Sequence, residues 1–241
     1  TGKPLIRNLV LKARADELEE VRRCDIYTKV PLKECYDRSG KSPITVRWVD
    51  INKGDTVNPE YRSRIVAREL KAHDASRDDL FAGTPPLEAK KLLFSFATTE
   101  GIGYSSKAPH DGMRIEFIDI RRAYYQAHAR REVYVHLPVG DQESGMCARL
   151  NKALQGTRDA AQCWEYEYKK FMRECGFVSG RCSPCLFYNK ARNIRAVVHG
   201  DDFTILGLNK DLDWFQQQIK AKWQVKVKGR LGPSPSDDKI I

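Results

Sequence analysis

No stretch of about 18 uncharged apolar residues occurs in this 241-residue chain, so no helix of membrane-spanning length is expected. Thr1 is not expected to begin a secretory leader, and the missing initiator methionine suggests a segment of a longer protein. Internal repeats and low-complexity tracts are also missing. A disulfide framework is lacking too: the seven cysteines are odd in number and scattered, as expected of reduced thiols inside a cell. Cys182-Ser-Pro-Cys185 has the spacing of a zinc knuckle and Cys175 lies nearby. No second Cys or His pair follows at ligand spacing, and zinc needs about four ligands, so packed thiols are the expectation. Acidic charge is in short supply, with 32 acidic residues against 42 basic ones and a net charge of +10. That excess suits a polyanion such as nucleic acid, although a solvated surface has the same composition. The bases are clustered: Arg62, Arg64, Arg68 and Lys71; Arg121, Arg122, Arg130 and Arg131; and Lys220, Lys222, Lys226, Lys228 and Arg230. Clusters favour a phosphate track.

At 41% hydrophobic and 10% aromatic residues, the chain is globular, as one large domain or two small ones. Residues 8–23 read as a charged surface helix. The stretch from "YTKVPLKEC" to "PITVRWVDINKGD" reads as strands broken by Gly and Pro turns, and "YRSRIVARE" as a further strand. Residues 87–99 are helical. "MRIEFIDI" is the clearest core strand, and "REVYVHLP" follows as another. "DAAQCWEYEYKKFMRECG" is the best helix: Asp159 can cap it, apolar residues recur at helical spacing, and Gly176 ends it. "CLFYNK", "IRAVV" and "FTILG" are strands, and "DLDWFQQQIKAKW" is an amphipathic helix. Mixed helices and antiparallel hairpins indicate an α+β fold.

Between "IRAVV" and "FTILG" lies only His199-Gly200-Asp201-Asp202, a tight hairpin with two carboxylates at its tip. An ordinary turn explains Asp there equally well. Two adjacent anions repel unless a cation or proton relieves them, and Mg²⁺ is held by one or two carboxylates together with substrate phosphates. Asp119, near the end of "RIEFIDI", supplies a third carboxylate. Placed beside the hairpin, Asp119 and Asp201 could bridge two ions, an arrangement suited to nucleotidyl transfer.

With their neighbours, these residues resemble the reverse transcriptase domain of copia-type LTR retrotransposon Pol polyproteins. The likeness runs through "RSRIVAR", "FIDIRRAYYQAHARREVYVHLPVG", "LNKALQGTRDAAQCW", "GFVSGRCSPCLFY", "VVHGDDFTILG" and "VKVKGRLG", in family order. The resemblance implies a right-hand polymerase fold whose mixed or antiparallel palm sheet is backed by helices. Residues 1–25 would be a helical lead-in, 26–112 and 132–153 fingers, 113–131 and 154–230 palm, and 231–241 the start of the connection to a thumb. Asp119, Asp201 and Asp202 would be catalytic and hold two Mg²⁺ ions, or Mn²⁺ in their place, with the Ile120 carbonyl as a further ligand. Arg62 and Arg64 would clamp the incoming triphosphate. Tyr124, five residues after Asp119, would exclude a ribose 2′-OH. Gln155 and Gly156 would lie near the nucleotide, His199, Gly200 and Arg158 near primer and template, and Lys226 would protonate pyrophosphate. A core tyrosine and surface arginines or lysine are the plainer readings of several of these.

The partners implied are an RNA or DNA template with its primer, deoxynucleoside triphosphates, and the thumb, RNase H and integrase regions of the polyprotein. No membrane partner is implied, and a cytoplasmic particle or the nucleus is the expected location. The chain departs from the family where His199-Gly200 stands in place of Tyr-Val. That replacement removes an aromatic beside the primer end, and the glycine is expected to loosen the turn. Arg121 and Arg122 replace the usual Lys-Thr, and Gln155 a Tyr. Three other readings stay open: a decayed nucleic-acid-binding relic, an RNA-templated RNA polymerase, and a metal-dependent phosphohydrolase.

Overall fold

The structure, a computed structural model, describes residues 4–69, 82–233 and 237. Among these the helices are α1 (Arg7–Arg23), α2 (Leu32–Ser39), α3 (Leu87–Thr98), α4 (Ala160–Glu174) and α5 (Asn209–Lys222). The strands are β1 (Tyr27–Pro31), β2 (Val46–Asn52), β3 (Tyr61–Ala67), β4 (Arg114–Ile120), β5 (Tyr134–Val135), β6 (Met146–Leu150), β7 (Val178–Ser179), β8 (Leu186–Asn189), β9 (Ile194–His199), β10 (Asp202–Gly207) and β11 (Val225–Leu231). The chain is mixed α/β, and its named strand pairings are antiparallel.

Two local expectations are corrected. "YTKVPLKEC" is not strand throughout, because α2 starts at Leu32 directly after Pro31. Its Cys35 is buried with Val30, Tyr134 and Cys147, and Gly40 ends it at φ +65° with its N–H donating to the Tyr36 carbonyl. "REVYVHLP" pairs only at Tyr134 and Val135, and its partner β6 was not anticipated. At five residues, β6 is too short to show its period among flanking Gly145 and Asn151.

Two compact units emerge: residues 1–81 with 124–164, and residues 82–123 with 165–241. The first holds the sheet β1-β6-β5, the hairpin β2-β3, and α1 and α2. Its core gathers Val21, Ile26, Ile65, Val135, Leu150 and Leu154. Arg14 of α1 pins the hairpin through a two-point ion pair with Asp50, Nη2–Oδ2 2.6 Å and Nε–Oδ1 3.0 Å, which the Ser63 hydroxyl joins as a donor. Lys71, a member of the first basic cluster, lies outside the described residues.

The second unit is a six-stranded sheet in the order β11-β4-β10-β9-β8-β7. On one face, Tyr168 of α4 stands edge-on to Phe187 and Phe203, and Phe171 packs against Phe215 and Trp223. The other face meets α3 through Ala89 and Leu93, which pack with Ile115, Val197 and Leu206. The turn after α4 has the two bonds of a Schellman motif, Phe177 N–H to Met172 O and Gly176 N–H to Arg173 O, with Gly176 at φ +80°. The seven cysteines are free thiols, and Cys35, Cys147, Cys163 and Cys185 are buried.

Candidate active site

β4 is the strand of the second unit that lies between β10 and β11. Its period-2 alternation sends Glu116, Ile118 and Ile120 to the face packed by the aromatic helices and Asp119 to the other. Asp202, first residue of β10, sits directly across from Asp119 in register, and across from His199 on β9. Directly opposed residues project to the same side, so two carboxylates meet there. The hairpin tip closes against β4, since the Ile120 N–H donates to the Asp201 carbonyl at 2.9 Å.

Gly200 has φ +62°, while Asp201 is not among the non-glycine residues of positive φ. One positive φ, at the first turn residue, is what a type II′ two-residue hairpin needs. The glycine therefore supplies a backbone conformation rather than merely loosening the turn.

Nζ of Lys228 lies 3.2 Å from Oδ1 of Asp119 and 2.8 Å from Oδ1 of Asp202. Those contacts raise the Lys228 pKa against the lowering effect of burial. The Asp201 carboxyl is also shifted up: loss of hydration leads, its own backbone N–H opposes, and the Asp119 and Asp202 charges add to the rise. The locus between Asp119 and Asp202 already accommodates a cation, so the donor set fits a hard divalent ion bound by carboxylates. Among the described residues, no three His, Cys, Asp or Glu side chains are drawn together tightly enough to ligate one ion. Asp119 and Asp202 share one centre, and Asp201 is near enough to feel both charges.

Lys226 lies opposite Asp119 on β11 and is exposed. It is Lys228, two residues on, that touches the acids. Sequence reasoning missed this because the register of β11 shifts between Val227 and Gly229. The only hint was that both lysines fall on one face of an alternating "VKVKGRL".

In the first unit, Arg62 and Arg64 lie on one side of β3, alternating with buried Ser63, Ile65 and Ala67. The Gln155-Gly156 loop is laced to the end of that strand, with Ala67 N–H donating to the Gln155 carbonyl at 2.8 Å. A Cβ on Gly156 would fall 2.1 Å from the Ala67 carbonyl oxygen, and its φ is +90°. Its smallness is thus already consumed by β3. Glu69 accepts from the Arg158 N–H at 2.7 Å and from Arg131, which also pairs with Asp159 at 2.9 Å. Burial works against the Arg131 charge, but these acids raise its pKa. Arg131, counted as part of a basic cluster, is neutralised within the fold, as are Lys228 and Arg230, whose partners include Glu116 and Asp213. Tyr124 lies half-buried in a short 3-10 turn, Ala123–Gln126, and its neighbour Tyr125 donates to Glu17 at 2.8 Å.

This chain belongs to the reverse transcriptase (RNA-dependent DNA polymerase) family, whose model matches residues 33–232. Among curated proteins it is 23% identical over 215 residues to the retrovirus-related Pol polyprotein from transposon TNT 1-94 of Nicotiana tabacum, a match covering 86% of this chain and 15% of that protein. It is 30% identical over 119 residues to the Pol polyprotein from transposon RE2 of Arabidopsis thaliana, covering 45% of this chain and 8% of the relative. The corresponding protein from transposon RE1 is 29% identical, with the same coverage. The chain is thus a reverse transcriptase domain of the copia-type Pol kind that the motifs resemble, and it spans a small fraction of those relatives.

Proposed function

We propose that this chain forms the fingers and palm of a right-hand RNA-directed DNA polymerase that adds deoxynucleotides to a primer 3′-OH. The observation that supports the reading is the direct cross-strand pairing of Asp119 with Asp202, with Asp201 beside them in the hairpin turn. Asp119, Asp201 and Asp202 hold two divalent ions, Mg²⁺ or Mn²⁺, with the Ile120 carbonyl as a further ligand. The ions, when bound, supply charge neutralisation and acidify the attacking hydroxyl. The chain's own residues do the positioning. Arg62 and Arg64 grip the triphosphate, and Gln155 and Gly156 border the nucleotide. Tyr124 packs under the sugar and rejects a 2′-OH. His199, Gly200 and Arg158 lie along primer and template, and Lys226 gives a proton to the leaving pyrophosphate. Residues 26–112 and 132–153 are assigned to the fingers and 113–131 and 154–230 to the palm, with the thumb, RNase H and integrase regions supplied by the rest of the polyprotein.

The test is primer extension by the thumb-containing protein. Asp201→Asn should lower Mg²⁺-dependent extension at least about 10³-fold while the circular dichroism spectrum is unchanged. Extension at the wild-type rate refutes the assignment. A relic of the same fold would show no extension even as wild type, and a phosphohydrolase would release phosphate without lengthening the primer.

A further inference from the structure

The carboxylate site carries a cation of its own, and the backbone puts it there. β11 follows regular register with β4 as far as Val227, then shifts, so that Gly229 rather than Lys228 falls opposite Phe117. A bulge of this kind re-aims a side chain. Gly229, at φ +118°, supplies a conformation that other residues rarely adopt. The Lys228 side chain is 28% exposed and its ammonium touches Asp119 and Asp202 together. Lys226, in unshifted register opposite Asp119, is left exposed.

An ammonium ion and a divalent ion that seek the same two oxygens exclude each other. Resting on the polymerase reading of these acids, we infer that Lys228 is a built-in counter-ion, which must leave Asp119 and Asp202 before a divalent ion binds. It holds the acids together when no metal is present and sets how tightly the first metal is taken up. Lys228 is a positioning residue in this role, since it touches the acids and not the substrate.

Mn²⁺ titration of this chain, followed by the electron paramagnetic resonance signal of the free ion, tests the inference. Lys228→Gln should bind Mn²⁺ roughly tenfold more tightly than wild type, because a competing unit charge a few ångströms away has gone. Lys228→Arg, which keeps the charge, should bind as wild type does. Melting of Lys228→Gln in metal-free buffer should occur at lower temperature and be restored by Mn²⁺. If Lys228→Gln binds no more tightly while Asp201→Asn loses binding, the counter-ion role is overturned and the polymerase reading survives. If no variant binds, both fall. Should Lys228→Gln be unfolded without metal, its failure to refold on adding Mn²⁺ equally overturns the inference.

Discussion

Strand β4 carries two acids on opposite faces, and β11 answers each with a base. Glu116 is fully buried. Its Oε1 accepts from Arg230 Nε at 3.0 Å and from Gln216 of α5 at 2.7 Å, while its Oε2 has no partner among the described residues. Asp119, three residues on, is part-exposed and shares Lys228 with Asp202. On the sealed side Glu116 meets a guanidinium whose other arm reaches the exposed Asp213 of α5, and these pairings fasten β11 and α5 to the central strand. On the open side three carboxylates face one ammonium. Stability alone does not explain such an excess of like charge, because each added anion raises the free energy of the folded state. The contrast separates an ion pair that builds the sheet from a cluster that is held ready for a ligand.

Exchanging the damage should sharpen this contrast. Asp119→Asn should abolish extension, by about 10³-fold or more, with unfolding free energy in urea within about 0.5 kcal/mol of wild type. Glu116→Ala should do the reverse, costing about 3 kcal/mol in urea because it strands part of a buried pair, with extension by the surviving folded fraction retained. If Asp119→Asn destabilised as much as Glu116→Ala, the distinction between the faces would break.

Two glycines extend the comparison. Gly156→Ala meets the Ala67 carbonyl at 2.1 Å as well as an unfavourable φ, and should cost more than about 2 kcal/mol in the same assay. Gly200→Ala meets open space and only the φ penalty, so about 1 kcal/mol is expected.

The smallest effect is in pH dependence. The pKa of Glu116 is raised by burial, against the pull of Arg230, and that of Asp201 by lost hydration and like charges. A raised carboxyl pKa means the folded state binds the proton more readily. Its stabilising contribution is therefore present in acid and fades as pH rises through the raised value. Mg²⁺ should remove the Asp201 share of that decline and leave the Glu116 share untouched. Melting curves from about pH 4 to 7, with and without Mg²⁺, read this directly. An identical decline under both conditions would mean that the cluster takes up no metal.

Much of this was legible in the chain. Gly176 stops α4, Asp119 lies next to the end of the core strand, and the tight His199–Asp202 turn joins two strands, all signals written within a few neighbouring residues. What escaped was non-local. α2 hides behind Pro31 because its buried Cys35 contacts only become visible once β6 is beside it. The basic clusters look like free positive charge until Glu69, Asp159 and Glu116, distant in sequence, neutralise Arg131 and Arg230. The contact of Lys228 with the acids escaped because an alternating strand gives no sign of a bulge.

By itself, the sequence determined the order of the motifs, which residues are acids, and where glycine permits the chain to turn, since such preferences depend on each residue and its near neighbours. Only the tertiary structure decided that Asp202 faces Asp119 and that Lys228 lies between them. Register and bulges are fixed by which strands pair, and β4, β10 and β11 come from separate parts of the chain.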